Sequence, residues 1–189
     1  MKTLRIAAVL LFLAGTVLTA RAAYLRVKAE LAGILIRHAW NESIKMGHPH
    51  PPWPSADTHP VARLQIPHLG YDEIVLDAAT PRALAFGPAR LHSSAALGER
   101  GNLVLAGHRT SWFRPLAGIR QGDKIQLDWF DPHHGGLRSR TYTVTMIRVV
   151  NPLDVSLLQP TSESALTLIT CYPFGSSPHS PLRFIVRAQ

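Results

Sequence analysis

The stretch "TLITCYPFG", residues 167 to 175, holds Cys171, the one cysteine in a chain of 189 residues. It closes an apolar, β-prone run, "ALTLITC" (165–171), and is followed at once by Tyr172-Pro173. Side chains alternate between the two faces of a strand. With Leu166, Leu168 and Thr170 on one face, Cys171 shares the other with Thr167 and Ile169. Pro173 restricts Tyr172 to extended geometry, so the strand ends rigidly just past the thiol. A solitary thiol at such a place reads in two ways, as a small buried hydrophobe or as a reactive group. On periodicity alone the buried hydrophobe is the commoner case.

Further runs of the same kind lie on both sides. "VARLQI" (61–66), "EIVLD" (73–77), "NLVLAGH" (102–108), "DKIQLDWF" (123–130), "RTYTVTMIRVV" (140–150) and "LRFIVRA" (182–188) are each short, β-prone and bounded by turn residues. "TPRALAFG" (80–87) suits a single helical turn, and "SWFRPLAGI" (111–119) a short helix or loop. The turn "DPHHGGLRS" makes a hairpin of the runs beside it. At least seven strands with little helix predict an all-β domain, a mostly antiparallel barrel or sandwich. In "LRFIVRA", Leu182, Phe184 and Val186 take the core face and leave Arg183 and Arg187 outward, on the face that Cys171 also takes.

Composition narrows the class. With 46% hydrophobic and 17% charged residues the chain builds a packed core rather than a disordered coil. One cysteine excludes an internal disulfide and a Cys-rich zinc site. The net charge of +8 is unevenly spread. Residues 1–40 carry Lys2, Arg5, Arg21, Arg26, Lys28 and Arg37 against Glu30 alone, beside an apolar run. That pattern suits anionic lipid headgroups better than a phosphate-tracking surface, and no nucleic-acid partner is expected.

Ile6 to Ala20 passes 15 residues without a charge, behind Lys2 and Arg5. This is either the core of a signal peptide or a membrane anchor. The segment after Arg21 keeps helical spacing, with Leu25, Leu31 and Leu35 on one stripe, so an uncleaved helix is the simpler reading. Lys2 and Arg5 then stay on the cytoplasmic side and the bulk of the chain lies outside. "GHPHPPWPSADTHP" (47–60) has five prolines in 14 residues and reads as a stiff connector. The expected organisation is an anchor and amphipathic helix over 1–40, a linker over 41–60 and a β domain over 61–189. His48 and His50 in the linker, and His133-His134 in the turn, lack a third ligand in a defined frame, so no metal is expected.

Three polar residues punctuate the apolar runs: His108, Cys171 and Arg183. Together they have the chemistry of acyl transfer. The reference thiol pKa of about 8.5 calls for a neighbouring cation to favour the thiolate. A histidine supplies that charge and carries the proton to the leaving amine. An arginine donates to the oxyanion. No cofactor is needed.

"TLITC" resembles the T-L-x-T-C signature of the sortase family. "LAGHR" resembles the strand that ends in the family's histidine, and "RFIVRA" its closing strand. The histidine stands 63 residues before the cysteine and the arginine 12 after it, in the family's order. "WPSADTHPVARLQIPHLG", "LAFGPARL" and "TCYPFG" are similar to the sortases of Gram-negative bacteria. The segment "ARLHSSAALGE" (89–99) departs from the G-H-x-P-G-T/S-A pattern of many relatives. The resemblance implies a closed β-barrel of seven to eight strands with short helices. His108 would be acid and base, Cys171 nucleophile and Arg183 oxyanion stabiliser, with Thr170 a supporting hydrogen-bonding residue at the substrate site and Arg187 the competing arginine. It implies a cysteine transpeptidase of the inner membrane, with its catalytic domain on the periplasmic side. The partners would be an exported protein with an LPxTG-like C-terminal sorting signal and an amine acceptor. An envelope L,D-transpeptidase would show an S-H-G-C-type motif, which "TLITCYP" lacks. A plain cysteine peptidase and a non-catalytic envelope binding module are the remaining readings.

Overall fold

In the computed structural model, residues 2–131, 135–175 and 180–189 are described. His133 and His134 lie outside them. A long helix α1 (Lys2–Met46) precedes strands β1 (Pro60–Ile66), β2 (Tyr71–Leu76), β3 (Ala89–Arg90) and β4 (Asn102–Ala106). Strands β5 (Lys124–Phe130), β6 (Leu137–Val150), β7 (Ala165–Tyr172) and β8 (Leu182–Ala188) follow, with a one-turn helix α2 (Pro81–Leu84) between β2 and β3. The eight strands close into a barrel in the order β1-β2-β3-β4-β7-β8-β6-β5. The expected strands are all present, together with the two-residue β3, too short to leave a period in the sequence.

Closure departs from a simple antiparallel meander: β2 runs parallel to β3, with Leu76 opposite Ala89. β4 runs parallel to β7, with Leu103 opposite Leu166 and Ala106 opposite Ile169. β6 is long enough to serve two neighbours. Its first half pairs with β5 and its second with β8, and the irregularity between Val144 and Met146 lets it turn the corner. Leu64, Ile66, Leu105, Ile125, Leu127, Leu166, Leu168 and Val186 fill the interior at 0% exposure. The alternation predicted for β7 is seen: Leu166 and Leu168 point inward, with Thr170 also buried.

The N-terminal region differs from expectation in three ways. First, α1 does not stop at residue 40, because "NESIKM" holds no proline or glycine. It ends where Gly47 adopts a φ of +74° and its N–H caps the Ser43 carbonyl at 3.0 Å. Second, the helix packs on the barrel rather than standing apart from it beyond a connector. Ala32, Ile36, Ala39, Trp40 and Ser43 are buried, while Leu31 is 52% exposed. Ile36 and Trp40 carry the apolar bulk and pack with Ile74, Leu76, Ala83 and Ala89. Arg37 adds a donor to the Asp72 carbonyl at 2.8 Å and an ion pair with Glu73 at 3.2 Å. Third, the proline-rich segment is laid on the fold rather than held away from it. The His50 amide donates to Ser43 Oγ at 2.9 Å, and Trp53 packs edge-on against Phe86 at 5.3 Å. The helix from Leu10 is long and apolar enough to cross a membrane, and Leu10 to Leu13, Val17 and Leu18 are exposed.

Two outcomes test this packing. Trp40→Ala in the full chain in detergent micelles should cost about 3 kcal/mol, since a large ring leaves a nearly sealed interface. A thermal melt should show it as a fall in Tm of roughly 6–12 °C. The second concerns acid. Arg63 donates twice to the Asp72 carboxylate, at 2.8 and 2.6 Å, and this holds the carboxyl below its ordinary range. A depressed carboxyl contributes stability above its unfolded pKa of about 3.9 and loses it as pH falls through the folded value. Arg63→Met should therefore shrink the loss of stability between about pH 5 and pH 3, measured by urea titration at each pH.

Candidate active site

The parallel ladder between β4 and β7 carries one step past the end of β4. The Gly107 amide donates to the Ile169 carbonyl at 3.2 Å, and Thr170 Oγ1 donates to the Gly107 carbonyl at 2.6 Å. His108 is the next residue, two positions past the end of β4. On the other side of β7, Cys171 lies opposite Arg183 of β8 in the antiparallel register. The strand that carries Cys171 is thus tied on one side to the turn that bears His108 and paired on the other with the strand that bears Arg183. His108 is exposed, and Cys171 and Arg183 are half-buried. All three sequence-predicted residues are at one end of the barrel.

Local packing holds each of them. A Cβ on Gly107 would come within 2.8 Å of the Phe113 ring, so only glycine allows the chain to turn there. The Phe113 amide then donates to the His108 carbonyl at 2.9 Å and fixes the backbone that carries the imidazole. Arg183 Nη1 donates to the carbonyls of Ser180 and Leu182 at 3.1 and 3.0 Å, which occupies one of its nitrogens and steadies the guanidinium. Beneath the site Tyr172, Phe174 and Phe184 pack on one another, with ring centroids 5.0 to 6.3 Å apart. Phe174 and Phe184 also rest on the core, so the end of β7 has a rigid aromatic footing.

Thr170 is 3% exposed, and its hydroxyl is committed to Gly107. It sits on the face of β7 opposite Cys171, where it links the cysteine strand to the histidine strand. Arg187 shares the outward face with Arg183 but stands opposite Thr167, four residues from the register of the thiol. Burial lowers the pKa of its guanidinium. Sequence reasoning missed Arg109. It is 8% exposed and donates to the Pro173 carbonyl, so the residue after His108 is bonded to the second residue after Cys171. Only its place within "LAGHR" hinted at such a role.

A cavity of about 600 Å³ lies elsewhere, lined by residues that include Trp40, Leu97, Trp129, Phe130 and Arg138, and none of His108, Cys171 or Arg183 lines it. Among the described residues no cluster of three His, Cys, Asp or Glu side chains is placed to hold a metal ion.

Comparison with known proteins identifies the fold and the family. The sortase domain family model matches residues 64–189. Sortase D of Bacillus subtilis (strain 168) is 28% identical over 124 residues, which is 65% of this chain and 60% of that protein. The chain thus matches about three-fifths of that curated relative's length. Among solved structures, sortase A from Corynebacterium diphtheriae is 27% identical, with a TM-score of 0.62 over 71% of this chain and 61% of its own. The fold is also that of a Clostridium perfringens sortase D5 transpeptidase, with a TM-score of 0.66 over 85% of this chain and 98% of the other at 20% identity. With the family model covering most of the barrel, the chain belongs to the sortase family.

Proposed function

We propose that this protein is a cysteine transpeptidase that cleaves an LPxTG-like C-terminal sorting signal on an exported protein and transfers the acyl part to an amine. The observation that carries the reading is Cys171 of β7 directly opposite Arg183 of β8, with His108 just past the end of the neighbouring β4 at the same end of the barrel.

In this mechanism Cys171 attacks, as the thiolate, the carbonyl carbon of the Thr–Gly-type bond, and the electron pair of the C=O moves onto oxygen. Arg183 donates to that oxyanion. As the tetrahedral intermediate collapses, His108 gives a proton to the departing amine, the C–N bond breaks, and a thioester on Cys171 remains. An incoming amine loses a proton to His108 and attacks the thioester. The C–S bond breaks, the thiolate leaves, and a new amide is formed. Thr170 and Arg109 act as positioning residues, through the bonds to Gly107 and Pro173. The apolar α1 would anchor the enzyme in the inner membrane, with the barrel on the periplasmic side. The motifs "LAFGPARL" and "TCYPFG" favour the Gram-negative type, whereas the relatives compared above come from Bacillus, Corynebacterium and Clostridium.

Incubation with a library of Leu-Pro-Xaa-Thr-Gly peptides and a panel of amines, read by mass spectrometry, should give an amide-linked product. Release of free acid alone, with amines present, would mean a peptidase. Cys171→Ala should abolish cleavage and thioester capture. His108→Ala should cost a factor of roughly 10²–10⁴ in kcat, and Arg183→Ala roughly 10²–10³. Substantial cleavage by Cys171→Ala would sink the mechanism. Thr170→Val should lower kcat about tenfold with little change in KM, because it shifts the catalytic row without touching the peptide.

A further inference from the structure

Helix α1 is longer than its docking needs. Among the described residues its first buried side chain is Ala32, and the face that packs on the barrel runs from there to Ser43. Before it Arg21, Arg26, Lys28, Glu30 and Leu31 are all exposed. Nothing from Thr16 to Ala32 breaks the helix, because its two glycines are Gly15 and Gly33 and it holds no proline. Ala22, Ala23 and Ala29 favour helix, and Arg26 and Glu30 stand at the i, i+4 spacing that supports an exposed one. The stretch from Arg21 to Leu31 is a bare, stiff stalk.

The stalk meets the barrel in a definite sense. Arg37 binds at the start of β2, to the Asp72 carbonyl and to Glu73. Trp40 and Ser43, further along the helix, border the same cavity as Asp77, just past the end of β2. α1 therefore runs in the direction of β2. β3 is parallel to β2, β4 antiparallel to β3 and β7 parallel to β4, so β7 runs the opposite way. The end at which β7 delivers Cys171 is the end at which β2 begins and from which the helix arrives. Contacts between side chains agree. The ring of Tyr71, the first residue of β2, lies 6.4 Å from that of Phe113, whose amide donates to the His108 carbonyl. A Cβ on Gly118 would come within 3.3 Å of Leu69, in the turn between β1 and β2. The catalytic end of the barrel looks down the stalk.

The charge-free run closes at Ala20, and Arg21 is the first residue after it whose head group must reach water. Arg37 follows Arg21 by 16 residues, about 24 Å of helix. We infer that α1 is a rigid spacer that turns the catalytic end of the barrel toward the bilayer and holds it about 24 Å above the surface. The polypeptide that reaches Cys171 is then one tethered in the same membrane, with its cleaved bond at least about 7 extended residues from its own span. The inference rests on the transpeptidase reading for its chemistry and on α1 as the anchor. It gives the bare stalk a task, since stalk length selects which bond of a tethered chain comes level with the thiol.

The test uses the full chain in phosphatidylcholine liposomes. An 11-residue helical insert of Ala, Glu and Lys after Ala22 lengthens the stalk by three turns, about 16 Å, and rotates the barrel by only about 20°. A maleimide dye on Cys171 reports its height by energy transfer to a lipid labelled at the head group. The helical insert should move the dye about 16 Å from the surface, whereas a Gly/Ser insert of equal length should broaden the distances. The substrate carries the Leu-Pro-Xaa-Thr-Gly sequence that the wild type cleaves fastest as a free peptide, joined by a linker to an apolar span of about 20 residues. Wild-type cleavage should fall about tenfold once the linker is shorter than about 7 residues. The helical insert should raise that threshold by about 5 residues and leave kcat/KM for the free peptide within about twofold. A dye height or a linker threshold that ignores the helical insert would overturn the inference. A wild type that cleaves no free peptide would count against the transpeptidase reading alone, because the dye needs no substrate.

Discussion

The pairing of Ala106 with Ile169 is the constraint on which the rest of this molecule depends. A parallel ladder admits no tight turn, so two segments distant in sequence must be brought together by the whole barrel. Once they are, two hydrogen bonds at Gly107 tie the turn that bears His108 to the strand that bears Cys171. The antiparallel ladder with β8 fixes Arg183 in the same way. The backbones beneath Cys171 and Arg183 are then spaced by the distance between neighbouring strands, about 4.8 Å, rather than by flexible loops.

Polar groups in the two faces of the β7 strand divide the work. On the inner face Thr170 gives its hydroxyl to Gly107 and ties the strand to the histidine. On the outer face Thr167 gives its hydroxyl to Asn102, which donates in turn to the Leu157 carbonyl and ties the strand to the loop before it. Between and beyond them Leu166 and Leu168 fill the core completely. A strand of eight residues therefore combines an apolar footing, an internal tie, an external tie and a thiol, and the alternation of its side chains keeps these from interfering.

Much of this was legible before the fold was seen. The period-two pattern of "ALTLITC" correctly set the facing of Leu166, Leu168 and Cys171, because burial of one face is a strong local demand. The strand runs in the last two thirds of the chain were legible for the same reason. The β4–β7 parallel pairing was not, since no local pattern records which distant strand is the neighbour. The docked face of α1 was not legible, because Leu31 and Leu35 are as apolar as Ile36 and Trp40, and only the barrel's shape chooses between faces about 100° apart. The roles of Asn102 and Arg109 were invisible. Each is an ordinary polar residue whose meaning comes from carbonyls 55 to 64 residues away.

The order of strands around the barrel also has a consequence in time. β8 is inserted between β7 and β6, so before it docks those two strands are open edges and Cys171 has no arginine opposite it. A chain delivered from its N-terminus presents the thiol 12 residues before the guanidinium that is to partner it. Until the final strand zips in, the sulfur belongs to an unfinished sheet. The sheet beneath Cys171 would thus be completed in one cooperative event, the closing of the cylinder.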